Sequence, residues 1–287
     1  MLQLLKDTFK EWQSDNVGVL AAALAYYAIF SLAPMLLIVI AMLTFLGRGD
    51  AQVAIMEQVQ SVAGQDAAQL VRTMIENRQE MGGNTLATIV GLTLVGVGAT
   101  GVVAQLHNAL NIIWNVKADP ERSGLRHMIR VRFMSLLLIL GLGLLLLAAL
   151  VGTAVLRSWT AAAREQVPQI GLLWTVLDPL MLVLASGLVF TLIFKYLPDV
   201  RVPWRTVAIG GLVTAVLFVI GNWLLSLYLS QGAVAGAYGA AGALVVILLW
   251  VFVSAQIVLL GAEFTQVYAR RRGDRIVPDA NAVTRNA

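Results

Sequence analysis

The longest stretch without a charged residue runs from Thr206 to Ala262, a total of 57 residues. About 20 apolar residues in a helix cross a hydrocarbon core of about 30 Å, so this stretch is too long for one crossing and sufficient for two with a turn. Over the whole chain, 59% of residues are hydrophobic and 13% are charged. Soluble domains average about 45–50% and about 25%, respectively. These features predict an integral membrane protein. They exclude a soluble enzyme, a disordered regulator and a nucleic-acid-binding domain.

The apolar runs predict an all-α membrane domain over residues 1–267, with six transmembrane helices. The first contains Pro34, which is expected to kink it. The second is rich in glycine, and the fifth and sixth share the long uncharged stretch. The predicted spans are Val17–Leu46, Thr85–Leu106, Phe133–Leu156, Pro179–Leu197, Thr206–Leu229 and Ala243–Gln266.

The basic residues predict the orientation of these helices. If the N-terminus is cytoplasmic, fifteen of the twenty Lys and Arg residues lie in cytoplasmic segments. This excess predicts that both termini are cytoplasmic, in line with the positive-inside rule. The segments counted as cytoplasmic are 1–16, 107–132, 195–205 and 268–287, and those counted as external are 47–84, 157–171 and 230–242.

Three segments are predicted to lie beside the membrane. In 1–16, Leu2, Leu5, Phe9 and Trp12 recur at helical spacing, which predicts an amphipathic helix on the cytoplasmic surface. The external loop 47–84 carries similar patterns and is expected to form short periplasmic helices. Residues 268–287 combine an Arg triplet with a polar stretch, which predicts a disordered cytoplasmic tail.

Sequence signatures of catalysis are absent. The chain has no cysteine and no GxxxxGK[ST] loop, and its two histidines, His107 and His127, show no metal-ligand spacing. Both histidines are therefore interpreted as interfacial and structural. We expect no enzymatic activity, no metal and no cofactor.

Two acidic residues in apolar runs are candidates for a substrate pathway, because ionisable groups are costly in lipid. Asp178 precedes Pro179, a pattern typical of a helix start, so capping of the fourth span is the first interpretation. Handling of a proton or substrate is the second. Glu263 lies about one turn before Tyr268 and Arg270, where an ion pair with basic residues is the structural alternative to a role in the pathway.

Other candidates are uncharged. Tyr26, Tyr27 and Ser31 lie near the Pro34 kink, and Asn222 and Gln256 lie within the fifth and sixth spans, where hydrogen bonds between helices are the alternative role. The segment 231–243, with Tyr238 and Gly239, reads either as a tight external hairpin or as a re-entrant turn beside a wet cavity. Apart from Asp178, which lies toward the outer side, no acidic or basic residue is expected at the midplane of a span, which disfavours a proton-driven pump. The pathway candidates together are Tyr26, Tyr27, Ser31, Pro34, Asp178, Asn222, Tyr238, Gly239, Gln256 and Glu263.

Several strings resemble the YihY/BrkB family of bacterial inner-membrane proteins. They are DNVGVLAAALAYYAIFSLAP (15–34), ALNIIW (109–114), LPDVRVPWR (197–205), AYGAAGALVVILLW (237–250) and LLGAEF (259–264). The positions that match family motifs are Asp15, Asn16, Ala25, Tyr26, Ser31, Pro34, Asn111, Trp114, Pro198, Pro203, Tyr238, Gly239, Trp250, Gly261, Ala262 and Glu263.

This resemblance implies an inner-membrane protein of envelope biogenesis that moves, or helps to move, lipid or a lipid-like amphiphile. A non-transporting scaffold, whose loop 47–84 docks an envelope partner, is the alternative. The family has also been labelled ribonuclease BN, a third hypothesis that the residues do not favour. Membrane lipids are the expected partners and nucleic acid is not, while small-residue surfaces are compatible with a homodimer.

Overall fold

Helices make up most of the described chain. The structure is a computed structural model, and it describes residues 2–29, 101–118, 171–230, 242–279 and 282–285. Within these ranges the helices are α1 (Leu2–Ser14), α2 (Val17–Ile29), α3 (101–113), α4 (Gly171–Tyr196), α5 (Trp204–Ser230) and α6 (Gly242–Arg272).

The chain forms two compact units. The first contains Met1–Val17, His107–Gly221 and Ile257–Ala287. The second contains Gly18–Leu106 and Asn222–Gln256. The contacts described below lie within one unit or the other, and most of the described polar contacts lie in the first.

Two helices in the described residues are long and apolar enough to cross a membrane. They cover Trp204–Leu229 and Leu244–Arg272, close to the predicted fifth and sixth spans. Only 28% and 17% of their most apolar windows are buried within the protein. A core helix of a soluble protein would be mostly buried, so the exposed apolar surface favours contact with lipid.

Helices α5 and α6 pack closely through a reciprocal pair of Gly and Thr residues in the first unit. The Thr265 side chain of α6 lies against Gly210, and the Thr214 side chain of α5 lies against Gly261. Each hydroxyl donates to the carbonyl of the glycine on its own helix, at 2.7 Å for Thr214–Gly210 and 2.6 Å for Thr265–Gly261. Both hydroxyls are therefore satisfied where the backbones approach.

Helix α4 approaches α5 in a similar way. A Cβ atom at Gly211 would lie 2.7 Å from the backbone nitrogen of Thr191. Phe190 and Phe218 meet edge to face nearby, with ring centroids 5.3 Å apart. Small residues thus allow α4, α5 and α6 to pack closely in this unit.

Two short antiparallel ribbons differ from the all-α prediction. Strand β1 (Val116–Ala118) pairs with β4 (Ala282–Thr284), and β2 (Val200–Arg201) pairs with β3 (Val277–Pro278). Strands of two or three residues are too short to produce a periodic signal in a sequence.

The C-terminal segment also differs from the predicted disordered tail. Helix α6 continues to Arg272 and ends in a left-handed Gly273, with φ of 72°. The Asp274 backbone N–H donates to the Ala269 carbonyl, a bond typical of a glycine helix stop. The strands that follow are held by pairing with distant segments, which a composition-based prediction of disorder does not see.

Helix α4 is unbroken at Asp178, so the predicted capping of a helix start at Pro179 is wrong. The helix begins at Gly171, seven residues earlier than Asp178. A proline inside a helix removes one backbone hydrogen bond, and helices in membrane proteins tolerate this where neighbouring groups compensate.

Several predictions fall outside the described residues. These are most of the first and second spans, the whole third span 133–156, the loop 47–84, His127 and the segment 231–241. They stay predictions.

We expect Gly210→Ala and Gly261→Ala to destabilise the protein. Each new methyl group would overlap a threonine side chain, and overpacking of this kind costs about 1–3 kcal/mol. Reversible unfolding in mixed detergent micelles measures the change. Gly187→Ala is the control, because its Cβ would lie 3.6 Å from its nearest neighbours, an ordinary contact. Equal stabilities of all three variants would contradict the packing role.

Candidate functional site

Two carboxyl groups meet in the interior of the first unit. Glu263 is 0% exposed, and neither of its carboxylate oxygens has a hydrogen-bond donor among the described residues. One carboxylate oxygen of Asp15 is also buried without a hydrogen-bond donor among the described residues. The two side chains are close enough to interact with each other. We call Asp15 and Glu263 the carboxyl pair.

The backbone positions of the carboxyl pair follow from local structure. Asp15 lies in the two-residue turn between α1 and α2, where Asn16 adopts a left-handed conformation with φ of 52°. Asn tolerates that conformation better than most residues. On α6, Glu263 lies two residues after Gly261. The close packing of Gly261 on α5 therefore also fixes the position of Glu263 along the helix axis.

Two ion pairs attach α1 to the end of α6. Arg270 Nη1 donates to Glu11 Oε1 at 2.9 Å, and Arg271 Nε donates to Asp7 Oδ2 at 3.1 Å. Arg270 also donates to Gln266 at 2.9 Å. The predicted ion pair between Glu263 and these basic residues is therefore wrong, because the arginines take their partners from α1 and Gln266.

The opposite side of α1 is apolar and exposed. Leu2, Leu5 and Phe9 are exposed, and Trp12 stacks on Phe9 with ring centroids 5.4 Å apart. The amphipathic helix predicted from the sequence is thus present at Leu2–Ser14. The acidic residues Asp7 and Glu11 of α1 face α6.

Burial raises the pKa of the Asp15 carboxyl above its ordinary value, and the negative charge of Glu11 raises it further. The Glu263 side chain, Arg285 and Arg270 act in the opposite direction with smaller effects. The folded protein therefore holds a proton on Asp15 more tightly than an unfolded chain does.

A second polar cluster joins α3 to the segment before β2. Asn111 Nδ2 donates to Asp199 Oδ2 at 2.8 Å, and the Asp199 backbone N–H donates to Asn111 Oδ1 at 2.9 Å. His107 Nε2 lies 3.1 Å from the same Asp199 oxygen. His107 therefore has an acidic neighbour and is not the lone residue that the sequence suggested. Its interfacial, structural role stays a prediction.

The other predicted pathway residues do not gather around the carboxyl pair in the described structure. Tyr26 and Tyr27 are exposed on α2, where Tyr27 packs beside Gly101. Asn222 accepts a 2.9 Å hydrogen bond from Trp250 Nε1, which confirms a hydrogen bond between α5 and α6. Gln256 is half-buried beside Gly18. Ser31, Pro34, Tyr238 and Gly239 lie outside the described residues, and only the backbone of Asp178 is described.

Sequence reasoning matched Asp15 and Asn111 to family motifs but did not select them as site residues. The available signal was the position of Asp15 just before an apolar run, which places its carboxyl group at the start of a predicted helix. Nothing in the sequence connects residue 15 with residue 263. In the described part of the chain, no three His, Cys, Asp or Glu side chains are arranged to hold a metal ion.

These features define a mostly helical integral membrane protein with an internal carboxyl pair near one end of a long apolar helix. The chain belongs to the family described as virulence factor BrkB, whose model matches residues 8–285. The resemblance seen in the sequence is thereby confirmed. No solved structure matches the chain significantly.

Relatives of this chain are named as membrane proteins. A UPF0761 membrane protein of Pseudomonas paraeruginosa is 32% identical over 255 residues, which are 87% of this chain and 58% of the relative. One from Azotobacter vinelandii is 29% identical, covering 93% of this chain and 64% of the relative. One from Psychromonas ingrahamii is 25% identical, covering 92% and 86%. The chain thus spans about three fifths of the length of the first two.

We expect Asn111→Ala to loosen the segment before β2. The change removes both hydrogen bonds between Asn111 and Asp199, at a cost of about 1–3 kcal/mol. Thermal unfolding in detergent measures the loss. Lys117→Ala, which removes a 3.5 Å hydrogen bond at an exposed site, serves as the control. An Asn111→Ala protein as stable as this control would contradict the stabilising role of the Asn111–Asp199 hydrogen bonds.

We also expect a pH-dependent contribution of Asp15 to stability. Because its folded-state pKa is raised, the protonated carboxyl stabilises the fold at low pH, and this contribution is lost as pH rises from the ordinary aspartate range through the folded-state pKa. Asp15→Asn should lack this dependence. Unfolding of both proteins over a pH series gives the difference, and a constant difference would contradict the assignment.

Proposed function

We propose that this protein moves, or assists the movement of, lipid or a lipid-like amphiphile across the bacterial inner membrane, with six spans and both termini in the cytoplasm. The family membership supports a membrane protein, and the apolar exteriors of α5 and α6 support direct contact with lipid. The excess of basic residues in alternate loops supports the orientation.

The proposed setting of α1 is the cytoplasmic surface of the membrane. Its exposed apolar residues would enter the interface, while Asp7 and Glu11 stay bound to the arginines at the end of α6. At the same end, Tyr196 and Trp204 meet edge to face and Lys195 lies 5.5 Å from the Trp204 ring centroid. Aromatic and basic residues of this kind are typical of the membrane–water boundary.

The observation that carries the proposal is the buried carboxyl pair. A buried carboxyl group without a hydrogen-bond donor lowers stability, and a scaffold that only holds its helices together would be more stable with apolar residues there. Ionisable residues inside membrane segments often mark a transport pathway. The pair therefore favours a transport role over the scaffold role.

Lipid translocation by the reconstituted protein tests the proposal. The protein is placed in vesicles of phosphatidylethanolamine and phosphatidylglycerol with a fluorescent lipid, and the lipid that reaches the inner leaflet is measured by chemical quenching. We expect faster translocation than in protein-free vesicles. We expect Glu263→Gln to slow it about tenfold, which corresponds to about 1.4 kcal/mol.

Asp279→Asn is the matched control, because it also changes a carboxyl to an amide but alters an exposed ion pair with Arg201. It should translocate lipid as the unmodified protein does. Absence of translocation by the unmodified protein would contradict the proposal and favour the scaffold. RNA cleavage by the purified protein would instead favour the ribonuclease hypothesis.

A further inference from the structure

The carboxyl pair has a hydrogen-bonding requirement that its surroundings leave unmet. Ionised carboxylates are acceptors only, so two of them cannot hydrogen-bond to each other. Among the described residues no donor reaches either Glu263 oxygen or the buried oxygen of Asp15. A single proton between the two groups makes one of them a donor and satisfies the contact.

The charges around the carboxyl pair also favour the binding of one proton. Facing it are Glu11 from α1, Arg270 from α6 and Arg285 after β4. Glu11 and Arg270 neutralise each other through their own ion pair. With one proton, the pair carries a single negative charge opposite the single positive charge of Arg285. Without it, two negative charges lie side by side in the interior.

A proton fits this site better than a metal cation. Ca²⁺ takes about six to eight oxygen ligands and Mg²⁺ about six, whereas a shared proton needs two. The described part of the chain brings no third metal-binding side chain into suitable geometry. The lack of exposed surface on Glu263 also leaves little access for the water that a small cation would retain.

We propose that Asp15 and Glu263 form a proton-binding site, in which one shared proton fastens the turn between α1 and α2 to α6. The site lies nine residues before the end of α6, about 14 Å along the helix axis, so it binds a proton near one face of the membrane. It is not a relay across the whole bilayer, in keeping with the lack of other acidic or basic residues in the predicted spans apart from Asp178 at the start of the fourth span and Lys195 near its end. This inference does not depend on what the protein transports.

Loss of the proton has a structural consequence. Two adjacent buried carboxylates repel each other, and the turn that carries Asp15 is the less buried partner. We expect that turn to separate from α6, leaving α1 attached through the exposed pairs of Asp7 and Glu11 with the arginines. Such pairs are weak and are screened by salt.

Infrared spectroscopy of the full chain in lipid nanodiscs tests the site with the proton itself as the probe. The carbonyl stretch of a protonated carboxyl is recorded over a pH series. We expect about one protonated carboxyl per chain at neutral pH, as the shared proton requires. The band should be absent from Asp15→Asn and Glu263→Gln and retained in Asp279→Asn.

A second readout follows the turn. Because the chain has no cysteine, Gln13→Cys places a single spin label at an exposed position on α1. Its mobility should rise as the carbonyl band is lost with increasing pH, and high salt should enlarge the rise. In the double variant Asp15→Asn with Glu263→Gln, mobility should be independent of pH.

Three results would overturn the inference. The first is the absence of a protonated carboxyl at neutral pH in the unmodified protein. The second is a band that persists in both single variants. The third is a band that added Na⁺, Mg²⁺ or Ca²⁺ abolishes, which would make the pair a cation site. Since none of these readouts measures lipid movement, the proton site can fail while the proposed function stands, and the reverse also holds.

Discussion

The close approach of α5 and α6 is the interaction on which the rest of the described first unit depends. Without a hydrophobic force to drive helices together in lipid, association relies on dispersion contacts and hydrogen bonds at short distance. Gly210 and Gly261 permit that distance, and Thr214 and Thr265 fill the space while their hydroxyls stay bonded within their own helices. Any side chain at either glycine would separate the helices and move Glu263 with them.

The candidate site is an outcome of that packing combined with the attachment of α1. Gly261 and Thr265 of α6 pack on α5. Glu263 is two residues from each and therefore lies on the other side of the helix, where the ion pairs of Asp7 and Glu11 bring the end of α1 to α6. Exposed ion pairs contribute little stability individually. Here these ion pairs position α1 against α6, and they thereby set where Asp15 meets α6.

The sequence predicted the helical membrane class because 57 uncharged residues allow few other folds. It also predicted α1, α5 and α6 closely, since each has a strong pattern over many residues. It failed where the signal is a contact between distant residues. The ribbons β1–β4 and β2–β3 join segments more than seventy residues apart, and the Asn111–Asp199 clamp spans 88 positions. The interpretation of Glu263 failed for the same reason, because the nearest cations in sequence have partners on α1.

The carboxyl pair joins two residues that are made at very different times. Asp15 emerges from the ribosome early, and Glu263 follows 248 positions later. Until α6 has been made, Asp15 lacks Glu263 as a partner, and until α1 docks, Glu263 lacks Asp15. The pair therefore closes only after α6 has been made, so its formation depends on the order of synthesis as well as on the state of a proton.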